Sequence, residues 1–417
     1  MNVFIEPKPL SGHVEVISSK SLSHRFVIAA GLAHGTSILH HVLDSDDLDA
    51  TKAALVHFGV TFDGQLVRSN GFHYDFKPID CHESGSTLRF MIPIAMLQDK
   101  EVTFTGKGRL PERPLTVYKD LFKDQLNYPK HSYLPCRIKG PLSNVDYFLR
   151  GDVSSQFFTG LLFALPCLNH DSTITWTTPL ASKGYIDLTI DVLNQFGVHI
   201  LQNDHQFIIK GHQTYQPIEA SVEGDYSQAA FWFAAGLLGE KLTLSNLNPF
   251  SKQGDARIVD IIKQMKGHLD YDEENQCYHV FPSHLEGTSI DLDDIPDLGP
   301  ILMVLASFAQ GVTHFTHISR LRIKESDRVE AMVEALTACG VNVTTKNDEL
   351  WIEGKSVIEG GITLQGHNDH RIVMALSIMS IKTKKGLTIT DKEAVKKSYP
   401  HFFDVFQSLG GIVHESE

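Results

Sequence analysis

The chain has 417 residues, with 37 Lys and Arg against 50 Asp and Glu, for a formal net charge of −13. A chain of this length exceeds what one hydrophobic core usually supports, and one this acidic is repelled by nucleic acid and by anionic lipid. No stretch reaches roughly 18 unbroken apolar residues, the start "MNVFIEPKPL" lacks the marks of a signal peptide, and five scattered cysteines without CxxC spacing read as thiols of a cytoplasmic protein.

Near the start, "ISSKSLSHR" (17–25) precedes the apolar run "FVIAAGLA". Lys20 and Arg25 therefore sit in a serine-rich turn at a helix mouth. Free N–H groups and the helix dipole both favour an anion there. The next stretch, "ATKAALVHFGVTFDGQLV" (50–67), predicts an amphipathic helix stopped at Gly59, then two strands joined by a polar turn. "CHESGSTLRF" (81–90) places Gly85, Ser86 and Thr87 ahead of a second apolar helix. Small residues there let backbone amides close on a phosphate or carboxylate, though they also serve as a plain N-cap. "GKGRLPERPL" (106–115) presents Arg109 and Arg113 on a Gly/Pro-rich loop, open to ligand or solvent.

Further along, "LTVYKDLFKDQLNYPKHSYLPCRIKG" (115–140) is a worn helix–strand–strand copy, with Asn127 near the missing glycine. "GDVSSQFFTGLLFALP" (151–166) sets Ser154, Ser155 and Gln156 at the front of an apolar helix, and the Gln156 amide adds a donor that a cap does not need. The helix–glycine–strand pattern returns at 185–211, 256–280 and 325–354 and breaks off at the C-terminus, with Gly197, Gly267, Gly340 and Gly410 as the stops. Between these copies lie "IDLDDIPDLGPILMVLA", with Asp297 before a buried helix as cap or as base, and "RLRIKESDRVEAM", with Lys324, Glu325 and Arg328. "GHNDHRIVMALSIM" adds Asp369, His370 and Arg371, and "DKEAVKKSYPHFF" adds Lys396 and Lys397. Glu325, a carboxyl among cations, is a candidate to pass protons.

Steps of about seventy residues, six to the chain, predict an α/β fold of two pseudo-symmetric domains. Each would hold three βαβαββ-like repeats, helices inside and sheets outside, with ligands in the cleft between domains. At least six cationic turns on an acidic chain suit a ligand set with about four anionic groups. No HExxH appears and His40–His41 lacks a third ligand, so no metal is expected. No GxxxxGK[ST] or strand-borne GxGxxG points to a nucleotide or dinucleotide cofactor.

In order along the chain, "SKSLSHR", "LDSDD", "SGSTLR", "GRLPERP", "GDVSSQF", "VEGDYSQAAF", "IPD", "RIKESDR", "NDHR" and "KKSYP" resemble the landmarks of the enolpyruvyl transferases. The likeness covers essentially the whole chain and is closest to members that act on shikimate 3-phosphate. It implies the inside-out α/β barrel pair, with 18–225 inserted into a discontinuous domain of 1–17 and 226–417. The inserted domain would mainly bind shikimate 3-phosphate, and the other would be the phosphoenolpyruvate and catalytic side. The implied reaction moves the enolpyruvyl group of phosphoenolpyruvate to the 5-hydroxyl of shikimate 3-phosphate, releasing phosphate, on the route to chorismate and aromatic amino acids.

By the same resemblance, Lys20, Ser21, Arg25, Ser154, Ser155, Gln156, Ser182, Tyr185, Asp297 and Lys324 would hold shikimate 3-phosphate. Lys20, Gly85, Arg113, Gln156, Arg328, Arg371 and Lys397 would hold phosphoenolpyruvate. Asp297 is the implied base for the 5-hydroxyl and Glu325 the implied proton donor to the methylene carbon, with Lys20 and Lys397 assisting. The family pattern implies a cytoplasmic monomer without cofactor, metal, nucleic-acid or membrane partner. Two positions depart from that pattern: Glu83 stands where many members carry Asn, and Arg320 where some do. Rival readings are a UDP-N-acetylglucosamine enolpyruvyl transferase, which usually carries a cysteine in the loop that "GKGRLPERP" matches, an RNA-end cyclase, and a catalytically silent anion-binding homologue.

Overall fold

The computed structural model describes residues 1–180 and 183–416. They fall into two compact units, one of Ser18–Val222 and one of Met1–Ile17 with Glu223 onward. Each unit holds three four-stranded sheets of a single topology. Ile79–Asp80 runs parallel to Glu101–Thr105, which pairs antiparallel with Cys136–Lys139, and Leu126–Asn127 closes the far edge. Asp146–Leu149, Ser172–Trp176, Gln206–Ile209 and Ile200–Gln202 repeat that order, as do the strands of Ser289–Asp291 through Glu349–Glu353. The βαβαββ repeat expected from the sequence is therefore the building block.

Other sheets are completed from a distance. Gly35–His40 takes its parallel edge strand from the end of the same unit, Glu219–Ser221. Leu242–Ser245 takes Gly12–Glu15, and Asn2–Ile5 lies between Leu387–Ile389 and Val413–Ser416.

Past its opening turns the first helix of each repeat is largely apolar on every side, so it is stable only where sheet or helix covers it all round. All residues of Tyr226–Leu238 and of His370–Ser380 are buried. In Gly85–Ala95 the exception is Ser86, in Ser155–Ala164 it is Gln156, and in Lys20–Leu32 burial runs from Leu22 to Gly31. The uncovered first-turn positions are thus among the residues that the sequence marks for binding. The second helices, such as Asp46–Val56 and Arg328–Ala338, are buried on one face only.

Gly59, Gly197, Gly340 and Gly410 have φ of +88°, +78°, +76° and +91°, the left-handed turn expected after the helix. Two stops differ. At the fourth copy Lys266 takes the positive φ (+63°), and Gly267 is needed for space: a Cβ would stand 2.5 Å from Ile262 Cγ2. In the worn copy Asn127 is a strand residue, and Lys123 carries the positive φ of +46°.

A second glycine ends the repeat, at Gly140, Gly211 and Gly354. A Cβ there would fall on the backbone carbonyl oxygen of Gln98, His170 or Ala309 respectively, just past the end of each buried helix. Backbone cannot yield as a side chain tip can. Gly354→Ala is expected to cost about 1–3 kcal/mol by overpacking, and Gly340→Ala about 1 kcal/mol through its backbone angle alone. Urea midpoints of the two variants against the parent measure both.

Candidate active site

Within Ser18–Val222, each buried helix opens on a serine cap. Ser19, Ser84 and Ser154 accept from the N–H groups of Leu22, Thr87 and Gln156, and none of the three first turns holds an acid. The positive ends of these helices are therefore left uncompensated, a setting that favours anions. Arg25 is buried beneath one of them. Its guanidinium donates to the Ser21 carbonyl (2.6 Å), the Tyr185 carbonyl (2.8 Å) and the Thr189 hydroxyl (2.9 Å). No carboxylate among the described residues pairs with it, and burial pushes its pKa down to about 10. Lys20, on the same turn, reaches Asp47 at 3.2 Å.

Gly85 and Arg113, assigned to one ligand by resemblance, do meet. A Cβ on Gly85 would stand 2.6 Å from Arg113 Nη1, so the missing side chain lets the guanidinium lie on the helix start. The Gln156 amide is fixed at both ends: its Oε1 accepts from Arg89 (2.7 Å) and its Nε2 donates to Ser86 (3.0 Å). Glu83 packs against Gly108 of the arginine loop, and the Arg109 side chain pairs with Glu112 at 3.5 Å. Ser155 is buried in the first turn of its helix, Tyr185 is half-buried, and Ser182 lies outside the described residues.

In the other unit five sequence-predicted residues converge. Asp297 Oδ1 accepts from Lys324 Nζ (3.1 Å) and Arg328 Nη1 (3.0 Å), and its Oδ2 accepts from Arg371 Nη2 (3.2 Å). Arg328 is 1 % exposed and also donates to Glu325 (2.7 Å) and Asp369 (2.8 Å). Arg371 further donates to Ser227, whose hydroxyl donates to the capping Asp225. Lys397 donates to the Asn368 carbonyl at 2.8 Å, beside the cap of the last buried helix.

These contacts govern ionisation. Burial works to raise the Asp297 pKa, but Arg371, Lys324 and Arg328 outweigh it and hold the carboxyl well below the usual carboxylate range. Asp369 is likewise lowered, because Arg328 overcomes its burial. Burial lowers Lys324 despite Asp297 beside it. Held this way, Asp297 is a strong ion-pair partner and a weak base.

Sequence reasoning passed over Asp47 and Asp225, and named Asp369 without giving it a role. Asp47, Asp225 and Asp369 each stand in a motif already quoted, and Asp225 and Asp369 have the signature of an N-cap two or three residues ahead of the amides they accept from. Arg89, in "SGSTLR", gave no signal beyond its charge. Arg320 donates to the Asp293 carbonyl at 2.7 Å, and its charge adds to the lowering of Lys324.

The repeat architecture and its caps define an enolpyruvyl-transferase fold. The family described as EPSP synthase (3-phosphoshikimate 1-carboxyvinyltransferase) matches residues 5–406, and the chain belongs to that family. A 3-phosphoshikimate 1-carboxyvinyltransferase of Clostridium kluyveri is 46% identical over 99% of this chain and 98% of its own length. One of Clostridioides difficile is 41% identical over 99% and 98%. Among solved structures, EPSP synthase from Acinetobacter baumannii superposes with a TM-score of 0.82 at 26% identity, over 99% of this chain and 100% of that one. The enolpyruvyl transferase NikO from Streptomyces tendae, at 15% identity over 99% and 98%, shares the fold with a TM-score of 0.77. No helix among the described residues is long and apolar enough to cross a membrane.

Asp297 and Asp369 have folded-state pKa values below those of the unfolded chain, so their ion pairs stabilise the fold at neutral pH. That contribution is lost as pH falls below about 4, the ordinary carboxylate value, toward their depressed ones. Asp369→Asn is expected to cost about 3 kcal/mol at pH 7, by leaving Arg328 short of one buried partner. The difference from the parent narrows on acidification, read as urea midpoints between pH 7 and pH 3.

Proposed function

We propose that this chain is the 3-phosphoshikimate 1-carboxyvinyltransferase of its organism, with phosphoenolpyruvate and shikimate 3-phosphate as substrates and the residues above as its site. It transfers the enolpyruvyl group to the 5-hydroxyl of shikimate 3-phosphate and releases phosphate, a step of the shikimate pathway. The convergence of Asp297 with Lys324, Arg328 and Arg371 carries the reading, because it unites one carboxylate with three cations on an acidic chain.

Each substrate brings a phosphate and a carboxylate. Arg25, with Lys20, Ser21, Ser154, Ser155, Gln156, Ser182 and Tyr185, holds shikimate 3-phosphate, and the neutral partners of Arg25 leave its charge for the ligand. Arg113 on Gly85, with Arg328, Arg371 and Lys397, holds phosphoenolpyruvate. Substrate anions then share the cations that grip Asp297, and its basicity rises toward a useful value. Asp297 takes the proton of the 5-hydroxyl as that oxygen bonds to C2 of phosphoenolpyruvate. Glu325, 2.7 Å from Arg328, gives a proton to C3. The resulting tetrahedral ketal loses a C3 proton and its phosphate, restoring the double bond, with Lys20 and Lys397 assisting proton transfer. Preorganised cations supply the main stabilisation. The enzyme works in the cytoplasm as a monomer.

Purified protein is expected to release phosphate from phosphoenolpyruvate with shikimate 3-phosphate and not with UDP-N-acetylglucosamine. Asp297→Ala should lower kcat about 10²–10⁴-fold while still binding shikimate 3-phosphate, since it frees cations. Release with the nucleotide sugar alone overturns the substrate assignment, and release with neither favours a silent homologue. Arg25→Gln is expected to weaken shikimate 3-phosphate roughly 30-fold or more by calorimetry, the loss of a buried charged hydrogen-bond partner worth about 2 kcal/mol.

A further inference from the structure

In the sheet of Gly12–Glu15, Leu242–Ser245, Cys277–Phe281 and His268–Asp272, one face pairs Tyr271 with Tyr278 and Leu269 with Val280. On the other face its register places Asp272 opposite Cys277, with His279 two residues along. The donor atoms of Asp272, Cys277 and His279 all lie within 4.8 Å of one another. None of these residues takes part in the reaction above.

The three donor atoms stand at spacings that one metal ion can span. His279 Nε2 is 3.6 Å from Asp272 Oδ2, at the long end for an ion pair and close to the spacing of two ligands on one metal. Two ligands about 2.1 Å from a tetrahedral zinc stand about 3.4 Å apart. His279 Nδ1 is 3.0 Å from the Thr243 hydroxyl, so Nε2 is the nitrogen turned to the cluster, with the outer partner usual for a metal-bound histidine. Asp272 Oδ1 accepts from the N–H groups of Glu274 and Asn275, both at 3.0 Å, and Oδ2 accepts from Asn275 Nδ2 at 2.8 Å. The carboxylate is therefore held in place before any ion arrives. Cys277 is 5 % exposed, which shields a metal–thiolate bond from solvent.

We propose that Asp272, Cys277 and His279 form a binding site for one zinc-class divalent cation. Sulfur, imidazole and carboxylate together select a borderline metal over calcium or magnesium. Binding exchanges the thiol proton, released to solvent, for a metal–sulfur bond, and three protein ligands leave a fourth position for water. The site clips one hairpin of a repeat, so its consequence is stability rather than turnover.

Cobalt(II) titration of the full chain tests this through its visible d–d bands and near-ultraviolet thiolate charge-transfer band. The bands are expected to saturate at one cobalt per chain and to bleach on adding zinc. The charge-transfer band should vanish in Cys277→Ala, and cobalt affinity should fall at least tenfold in His279→Ala, both variants keeping phosphate release. Zinc should raise the Tm of the parent by several degrees and leave Cys277→Ala unmoved. No charge-transfer band in the parent, or one that persists in Cys277→Ala, overturns the site, since another thiol or scattered histidines then hold the metal. If Cys277→Ala does not fold, the stoichiometry of the parent and the His279→Ala affinity decide.

Discussion

A helix that is apolar on every side can be covered completely, and then only its ends remain for chemistry. That constraint shapes this protein. Tyr226–Leu238 and His370–Ser380 are buried throughout, in Gly85–Ala95 and Ser155–Ala164 a first-turn position escapes, and in Lys20–Leu32 both ends do. Backbone N–H groups gather at the helix starts, and those capped by Ser19, Ser84 and Ser154, with no acid in the first turn, favour anions. The exit glycines belong to the same constraint, since sheet backbone must pass within van der Waals distance of each helix end.

The two units use their helix ends differently. In Ser18–Val222 serine caps put no acid in the first turns, and the described hydrogen-bond partners of Arg25 are neutral oxygens. In the other unit Asp225 and Asp369 neutralise the ends, and Arg328 collects Asp297, Glu325 and Asp369 around one buried guanidinium. The first arrangement is short of negative charge and the second is balanced. A buried network of the second kind fixes geometry at a cost in desolvation. It holds Asp297, Lys324 and Arg371 in one place without requiring a ligand to do so.

Much of this was legible in the sequence because it is local. Helix, glycine and alternating strand sit next to one another in "ALTACGVNVTT", and repetition of that joint gave the repeat. The binding turns were legible for the same reason, since a helix opens within a few residues of Lys20, Gly85 or Gln156. What escaped depends on distance or on packing. Nothing in "GHNDHR" says that Asp369 reaches Arg328, and nothing in "MKGHL" says that Lys266 bends while Gly267 makes room. The cluster of Asp272, Cys277 and His279 was invisible for a related reason. Its spacing matches no familiar metal motif, and only the hairpin register brings Asp272 across from Cys277.

The exchange of strands also sets an order of events during synthesis. Asn2–Ile5 is made long before its partners, since Val3 pairs with Ile389 and Glu415. Gly12–Glu15 waits for Leu242–Ser245. Ser18–Val222 draws all its strands from within itself, so it has everything it needs once Ser221 has emerged. While it is being made, the chain therefore carries a self-sufficient unit, Ser18–Val222, together with an earlier strand still unpaired. That strand is held in reserve until Leu387–Ile389 and Val413–Ser416 have been made, so folding of the second unit trails that of the first.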